Sequence, residues 1–153
     1  MERFTKVIQE HPFFSDLDSV HVDVLSKFAS EVSFYAGQTI YQEGEIADCF
    51  LLIRHGRVAV QIYAQERGSC TIQTLGPGDV LGWSWLFPPY RRRFDARALE
   101  LTRAVALDGK RLREKAEEDP RLGYALLKRF SRVVVDRLHG ATLQILNLSQ
   151  KGS

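Results

Sequence analysis

The residues that could do chemistry crowd into one short tract, Gly82-Trp83-Ser84-Trp85-Leu86-Phe87-Pro88-Pro89-Tyr90-Arg91-Arg92-Arg93-Phe94. A guanidinium group stays charged, offers donors in a planar fork and stacks on aromatic faces. Rings and arginines interleaved in this way suit a planar or anionic small molecule. The candidate contacts are Gly82, Trp83, Ser84, Trp85, Arg91, Arg92 and Arg93. Side chains alternate along an extended chain, so Arg91 and Arg93 would share one face and Arg92 the other. The three cannot all line one pocket.

Other chemistries find little support. Cys49 and Cys70 form no CxxC, and His11, His21, His55 and His139 lie far apart without HExxH or facial-triad spacing, so no metal site is expected. GxSxG, Walker A and dinucleotide fingerprints are absent, so no catalytic residues are assigned and the expectation is a non-enzyme. The 21 basic and 19 acidic residues leave a net charge of +2, which gives no overall nucleic-acid footprint. Three arginines beside two prolines are a weak phosphate signal, so direct nucleic-acid binding by this chain is not expected. No apolar run approaches the length of a membrane span. The N-terminal MERFTKVIQEHPFF lacks a signal-peptide core, and sparse cysteine suits a reducing cytosol; a cytoplasmic location with no membrane partner is expected.

The elements that must hold this tract fall into three blocks of a single 153-residue domain. Residues 1–30 read as helical: Leu17, Val20, Val24, Leu25 and Phe28 recur at helical spacing, with Ser15 or Asp16 as N-cap and Pro12-Phe13-Phe14 as an entry segment. Residues 31–108 read as a β-barrel or sandwich. SFYA, QTIYQ, CFLLIR, RVAVQIYA and CTIQTL are rich in β-branched and aromatic residues and are punctuated by Gly37, Gly44, Gly56, Gly68, Gly76 and Gly78. His55-Gly56 reads as a tight hairpin, Glu66-Arg67-Gly68-Ser69 as a longer one, and FDARALE with TRAVALD as a final strand pair. Residues 109–149 read as helical. KRLREKAEE ends at Asp119-Pro120, and Pro120 can open the next helix. On that helix Leu127, Ser131, Val134, Leu138, Ala141, Ile145 and Leu148 step alternately by four and three, a heptad-like stripe. A long helix leaving a small β-core has nowhere to bury such a stripe, so a homodimer through it is expected.

The order of blocks and several motifs resemble the cyclic-nucleotide-binding domain family, the sensor module of catabolite-activator-like regulators, cyclic-nucleotide-dependent kinases and gated channels. Tyr35-Ala36-Gly37-Gln38 and Tyr41-Gln42-Glu43-Gly44-Glu45 look like its first turns. Phe50-Leu51-Leu52-Ile53-Arg54-His55-Gly56-Arg57-Val58-Ala59-Val60 looks like its strand–Gly–strand unit. Leu75-Gly76-Pro77-Gly78-Asp79-Val80-Leu81-Gly82 looks like the lead-in to its phosphate-binding cassette. The resemblance runs from about Phe13 to Leu148 and implies a mainly β fold with flanking helices: a double-stranded β-helix or jelly-roll barrel, an N-terminal helix and a long C-terminal helix.

The cassette departs from the family pattern. Where the resemblance implies a glutamate that accepts from a ribose hydroxyl stands Trp83, and an indole has a donor but no acceptor. Arg92 falls nearest the phosphate-binding arginine, with Arg91 and Arg93 adjacent and the register open by one. Pro88-Pro89 should shorten or kink any cassette helix. The resemblance also makes His139, on the long helix, a candidate ligand contact. The expected function is a non-enzymatic regulatory sensor for a small anionic or aromatic ligand other than standard cyclic AMP or cyclic GMP, with no other cofactor than such an anion or a nucleotide. One alternative is a ligand-free dimerisation or protein-interaction module whose aromatics plug a vestigial pocket. Another is the sensor half of a transcription regulator, since the sequence stops at Gln150-Lys151-Gly152-Ser153, where relatives continue into a helix-turn-helix domain.

Overall fold

The computed structural model describes the backbone of residues 2–151 and the side chains of residues 3–147. Two helices, α1 (Glu2–Glu10) and α2 (Ser19–Lys27), flank a single 3-10 turn, Pro12–Phe14. The α2 N-cap is Asp18, whose carboxylate accepts the Val20 N–H at 3.3 Å, and not Ser15 or Asp16. Those two residues are spent on leaving the 3-10 turn: the Ser15 N–H bonds to the Pro12 carbonyl, and Asp16 adopts φ 64°.

Eight strands follow: β1 (Ala29–Phe34), β2 (Thr39–Tyr41), β3 (Cys49–His55), β4 (Val58–Ala64), β5 (Gly68–Leu75), β6 (Val80–Leu81), β7 (Asp95–Ala98) and β8 (Thr102–Asp108). They form two antiparallel four-stranded sheets, ordered β1-β8-β3-β6 and β2-β7-β4-β5. Two expectations are corrected by this order. His55-Gly56 is no hairpin, because β3 and β4 lie in different sheets; it is the corner where the chain changes sheet. Gly56 has φ 99°, and a Cβ there would lie 2.4 Å from the Leu101 carbonyl oxygen, so only glycine fits. FDARALE and TRAVALD likewise supply β7 and β8 to different sheets and do not pair. The strand expected at SFYA starts earlier, at Ala29, because the partner β8 pairs Leu107 with Ala29 and Thr102 with Phe34. The Glu66–Ser69 hairpin is present, with Gly68 paired to Ala64.

The continuous apolar run of β3 is explained by burial on both faces. Leu51 and Ile53 point between the sheets with Val58, Val60, Leu81 and Ala104. Phe50 and Leu52 point the other way, into a core shared with the helices. Helix α3 (Gly109–Glu118) ends at Asp119, and α4 (Pro120–Lys151) begins at once, with the Asp119 carboxylate accepting from the Arg121 N–H at 3.1 Å. On α4 the inward face is Leu122, Leu126 and Phe130, each fully buried, with Val133 packed against the same core. The stripe read from the sequence is the other face. Leu127, Leu138 and Ile145 are 44%, 66% and 64% exposed, Ala141 is exposed and Val134 half-buried, while the side chain of Leu148 lies outside the described residues. Among the described residues, no helix is long and apolar enough to cross a membrane.

Candidate functional site

The tract from Gly82 to Phe94 connects β6 to β7. No regular helix forms in it. Turns close through Leu86 N–H to the Trp83 carbonyl at 3.2 Å and Tyr90 N–H to the Phe87 carbonyl at 3.0 Å, with a cis bond between Pro88 and Pro89. The prolines are expected to shorten or kink a cassette helix; in the structure the tract holds turns instead. An anion here would not meet a helix N-terminus, so side-chain donors must carry more of the recognition.

Three anchors fix the loop. Trp85 is fully buried; its ring stacks on Phe50 at 4.9 Å and meets Phe130 edge-on at 5.1 Å. Losing a ring packed this way costs about 3–5 kcal/mol. Trp85 is therefore a core residue of the loop, and its place among the candidate ligand contacts is corrected. Arg113 of α3 donates to the carbonyls of Trp85 and Ala47 and lies 4.0 Å over the Tyr90 ring. The segment Gly44–Ala47 pairs with the loop's return: Gly44 N–H to the Arg92 carbonyl at 2.8 Å, Arg92 N–H to Glu45 at 2.8 Å and Ala47 N–H to Tyr90 at 2.8 Å. This extended pairing settles which arginine turns inward. Arg91 and Arg93 are exposed, Arg92 is buried.

Arg92 is only 5% exposed. Its Nη2 donates to the Cys49 carbonyl at 2.8 Å and lies 3.4 Å from the Cys49 sulfur, while the guanidinium sits 4.1 Å over the Tyr41 ring. Nε and Nη1 have no partner among the described residues. Gly82 has φ 94°, which the turn requires of a glycine, and a Cβ there would lie 2.7 Å from Nη1 and push on the guanidinium. Trp83, half-buried, faces Phe87 at 6.0 Å and Phe94 at 6.4 Å, with the exposed Arg93 guanidinium 5.9 Å from its ring. Ser84 is buried, and the exposed Arg91 donates to the Gly44 carbonyl at 3.3 Å.

Beyond Phe94, between the barrel and α4, lies a cavity of about 270 Å³ lined by Ile72, Gln73, Phe94, Arg137 and Gly140 among others. Gln144 closes one side, donating to the Ile72 carbonyl at 2.9 Å. The Gln73 Oε1 and Arg137 Nε are buried and have no partner among the described residues. Burial pushes the Arg137 guanidinium down and the Tyr41 hydroxyl up, with Arg92 and then Arg137 opposing the Tyr41 shift. Burial likewise pushes the Cys49 thiol up against the pull of Arg92. His139 is exposed and is not among the residues lining this cavity; α4 presents Arg137 there instead.

Sequence reading missed Tyr41, Gln73, Arg113 and Arg137. Nothing local marks them, since each comes from a different element. Only the inward phase of α4, at four-residue steps Leu122, Leu126 and Phe130 followed by Val133 and Arg137, could have pointed to Arg137.

The double four-stranded barrel, the loop that turns an arginine inward and the closing helix define a cyclic-nucleotide-binding type of domain. The family model for the cyclic nucleotide-binding domain matches residues 31–119, and the chain belongs to that family. It is 26% identical over 127 residues to a CRP-like cAMP-activated global transcriptional regulator of Mycobacterium tuberculosis, covering 83% of this chain and 57% of the relative. The chain thus spans little more than half the length of that curated relative. A solved structure from Geobacter metallireducens, described as cyclic nucleotide-binding, is 31% identical, with TM-score 0.77 over 90% of this chain and 97% of that one. A cyclic nucleotide-binding domain from Methylobacillus flagellatus is 23% identical, with TM-score 0.82 over 95% and 84%, which speaks for the fold.

Proposed function

We propose that this chain is a non-enzymatic, cytoplasmic regulatory sensor whose ligand carries an anionic group received by Arg92, and which works as a homodimer through α4. The observation that carries the reading is the Arg92 guanidinium, 5% exposed, with Nε and Nη1 unpartnered among the described residues and Nη1 beside Gly82. A buried cation without its partners costs several kcal/mol, and an anion bound there offsets that cost. The ligand differs from standard cyclic AMP and cyclic GMP because Trp83 cannot accept from a ribose hydroxyl. Instead the rings of Trp83 and Phe94 offer faces to a flat apolar group. Gln73 Oε1 and Arg137 Nε supply a free acceptor and a free donor for its outer end. Dimerisation is supported by the exposed Leu127, Leu138 and Ile145.

A second reading is favoured by one observation. The Tyr41 ring covers a face of the Arg92 guanidinium, and Trp83 and Phe94 pack against each other in the loop; a ligand-free interaction module would leave these rings in place. The similarity to a transcriptional regulator supports a third reading, the sensor half of such a protein. A thermal-shift screen separates the first two readings. Cyclic AMP, cyclic GMP and aromatic carboxylates and phosphates are compared, with stabilisation growing as RT ln(1 + [L]/Kd). The sensor reading expects an aromatic anion to outperform both cyclic nucleotides. No response to any of them at millimolar concentration favours the interaction module.

A further inference from the structure

His11 lies where α1 ends and the Pro12–Phe14 turn begins, and it is only 6% exposed. Its Nδ1 accepts the Phe13 N–H at 3.2 Å, and its Nε2 faces the Ile53 carbonyl oxygen at 3.2 Å. A carbonyl only accepts, so Nε2 carries the ring proton and Nδ1 is bare. The ring is neutral and both nitrogens are in use. A second proton has one place to go, Nδ1, where it would meet the Phe13 N–H, donor against donor.

The turn held by this bond is not peripheral. Phe13 meets Phe130 of α4 edge-on at 4.9 Å, and Phe14 packs 6.3 Å from Phe50 of β3. The Ile53 carbonyl that takes the His11 proton also takes the Gly78 N–H at 3.1 Å, in the turn that leads to β6 and Gly82. Pro12 and Phe13 wall a cavity of about 240 Å³ together with Gly78, Asp79, Arg129 and Arg137. One imidazole therefore ties the N-terminal segment to β3 beside the lead-in of the ligand loop, under the helix that closes the barrel.

We propose that His11 is an acid-sensitive latch: protonation at Nδ1 uncaps the Pro12–Phe14 turn and loosens Phe13 from α4. The charged groups facing it are Glu10 from α1, Arg54 from β3 and Asp79 from the β5–β6 turn; Arg129 and Arg132 of α4 lie beyond the turn, lining the neighbouring cavity with Pro12 and Phe13. Burial is the largest influence and lowers the imidazole below its ordinary range; the bond to Ile53 and the charge of Asp79 oppose this, and Arg54 adds to it. The latch is thus shut near neutrality and opens on acidification. Nothing in it depends on which ligand the barrel takes.

The test follows the His11 ring nitrogens by NMR from about pH 7.5 to about pH 4.5, with hydrogen exchange of the Phe13 and Phe14 amides in the same samples. Ring signals of His11 are assigned apart from those of His21. As the ring takes up its proton, the Phe13 amide should exchange at least about tenfold faster, once the ordinary pH dependence of exchange is divided out. His11→Asn keeps an acceptor for the Phe13 N–H and does not titrate, so its protection should stay flat. The latch is overturned if the ring stays neutral until the whole chain unfolds. It is equally overturned if the ring protonates with Phe13 protection unchanged, or if His11→Asn loses protection in parallel with the wild type. Should the variant fail to fold, the wild-type ring and amide data decide alone.

Discussion

Replacing Arg92 with methionine sets stability against binding. The change removes the charge-assisted bond from Nη2 to the Cys49 carbonyl, worth about 1.5–3 kcal/mol. It also removes the stacking on Tyr41, about 0.5–2 kcal/mol. Against these losses stand Nε and Nη1, each a buried donor left unpaired at a cost of about 1–3 kcal/mol. The desolvation of the cation itself, several kcal/mol in effect, is relieved as well. Methionine keeps the stem's packing and adapts to irregular space. The losses and the relief are of similar size, with the relief larger. The ligand-free Arg92→Met variant should therefore be unchanged or more stable by up to about 2 kcal/mol, a melting-temperature change between zero and about +8 °C. Urea and thermal unfolding with an unchanged m value measure this. In the same samples, every anion-induced rise in melting temperature should vanish. A loss of about 3–5 kcal/mol on substitution would mean that the guanidinium is already satisfied and serves as a structural plug. Nε and Nη1 would then not mark an anion site.

Three further outcomes follow from the same geometry. Leu138→Asp should yield monomers by light scattering, because Leu138 is 66% exposed on the single chain and available to a partner helix; a persisting dimer would place the interface elsewhere. Trp83→Glu removes a ring from beside Phe94 and supplies the missing acceptor, so calorimetry should show cyclic-nucleotide affinity rising by roughly 10-fold or more, the worth of one bond to a charged group. Unchanged absence of binding would count against a pocket that is filled and otherwise intact. Cys49, whose thiol burial pushes up, holds less thiolate at a given pH than an unshifted thiol. Its alkylation by iodoacetamide should thus lag behind that of a small free thiol until the pH rises above the ordinary cysteine range, and Arg92→Met, which removes the opposing cation, should slow it further.

Periodicity and turn chemistry fixed the local elements of this chain. The β-runs, the positive-φ glycines, the break at Asp119-Pro120 and the apolar stripe of α4 are all local properties of the sequence. Alternation alone implied that Arg92 would part from Arg91 and Arg93. What the sequence could not decide was direction. His55-Gly56 has hairpin chemistry, yet the chain crosses there to the other sheet, because Leu101 of the β7–β8 turn and Thr102 at the start of β8 close on Gly56 and β3 takes β8 as its partner. Trp83 and Trp85 are two residues apart in one aromatic tract. One lies at the rim of the candidate site and the other in the core, and only Phe50 and Phe130, from β3 and α4, make that choice. Arg92 faces inward because Gly44–Ala47 pairs with its backbone, and Arg137 meets the barrel because Leu122, Leu126 and Phe130 set the rotation of α4. These decisions belong to tertiary packing, since the groups that make them lie tens of residues away along the chain.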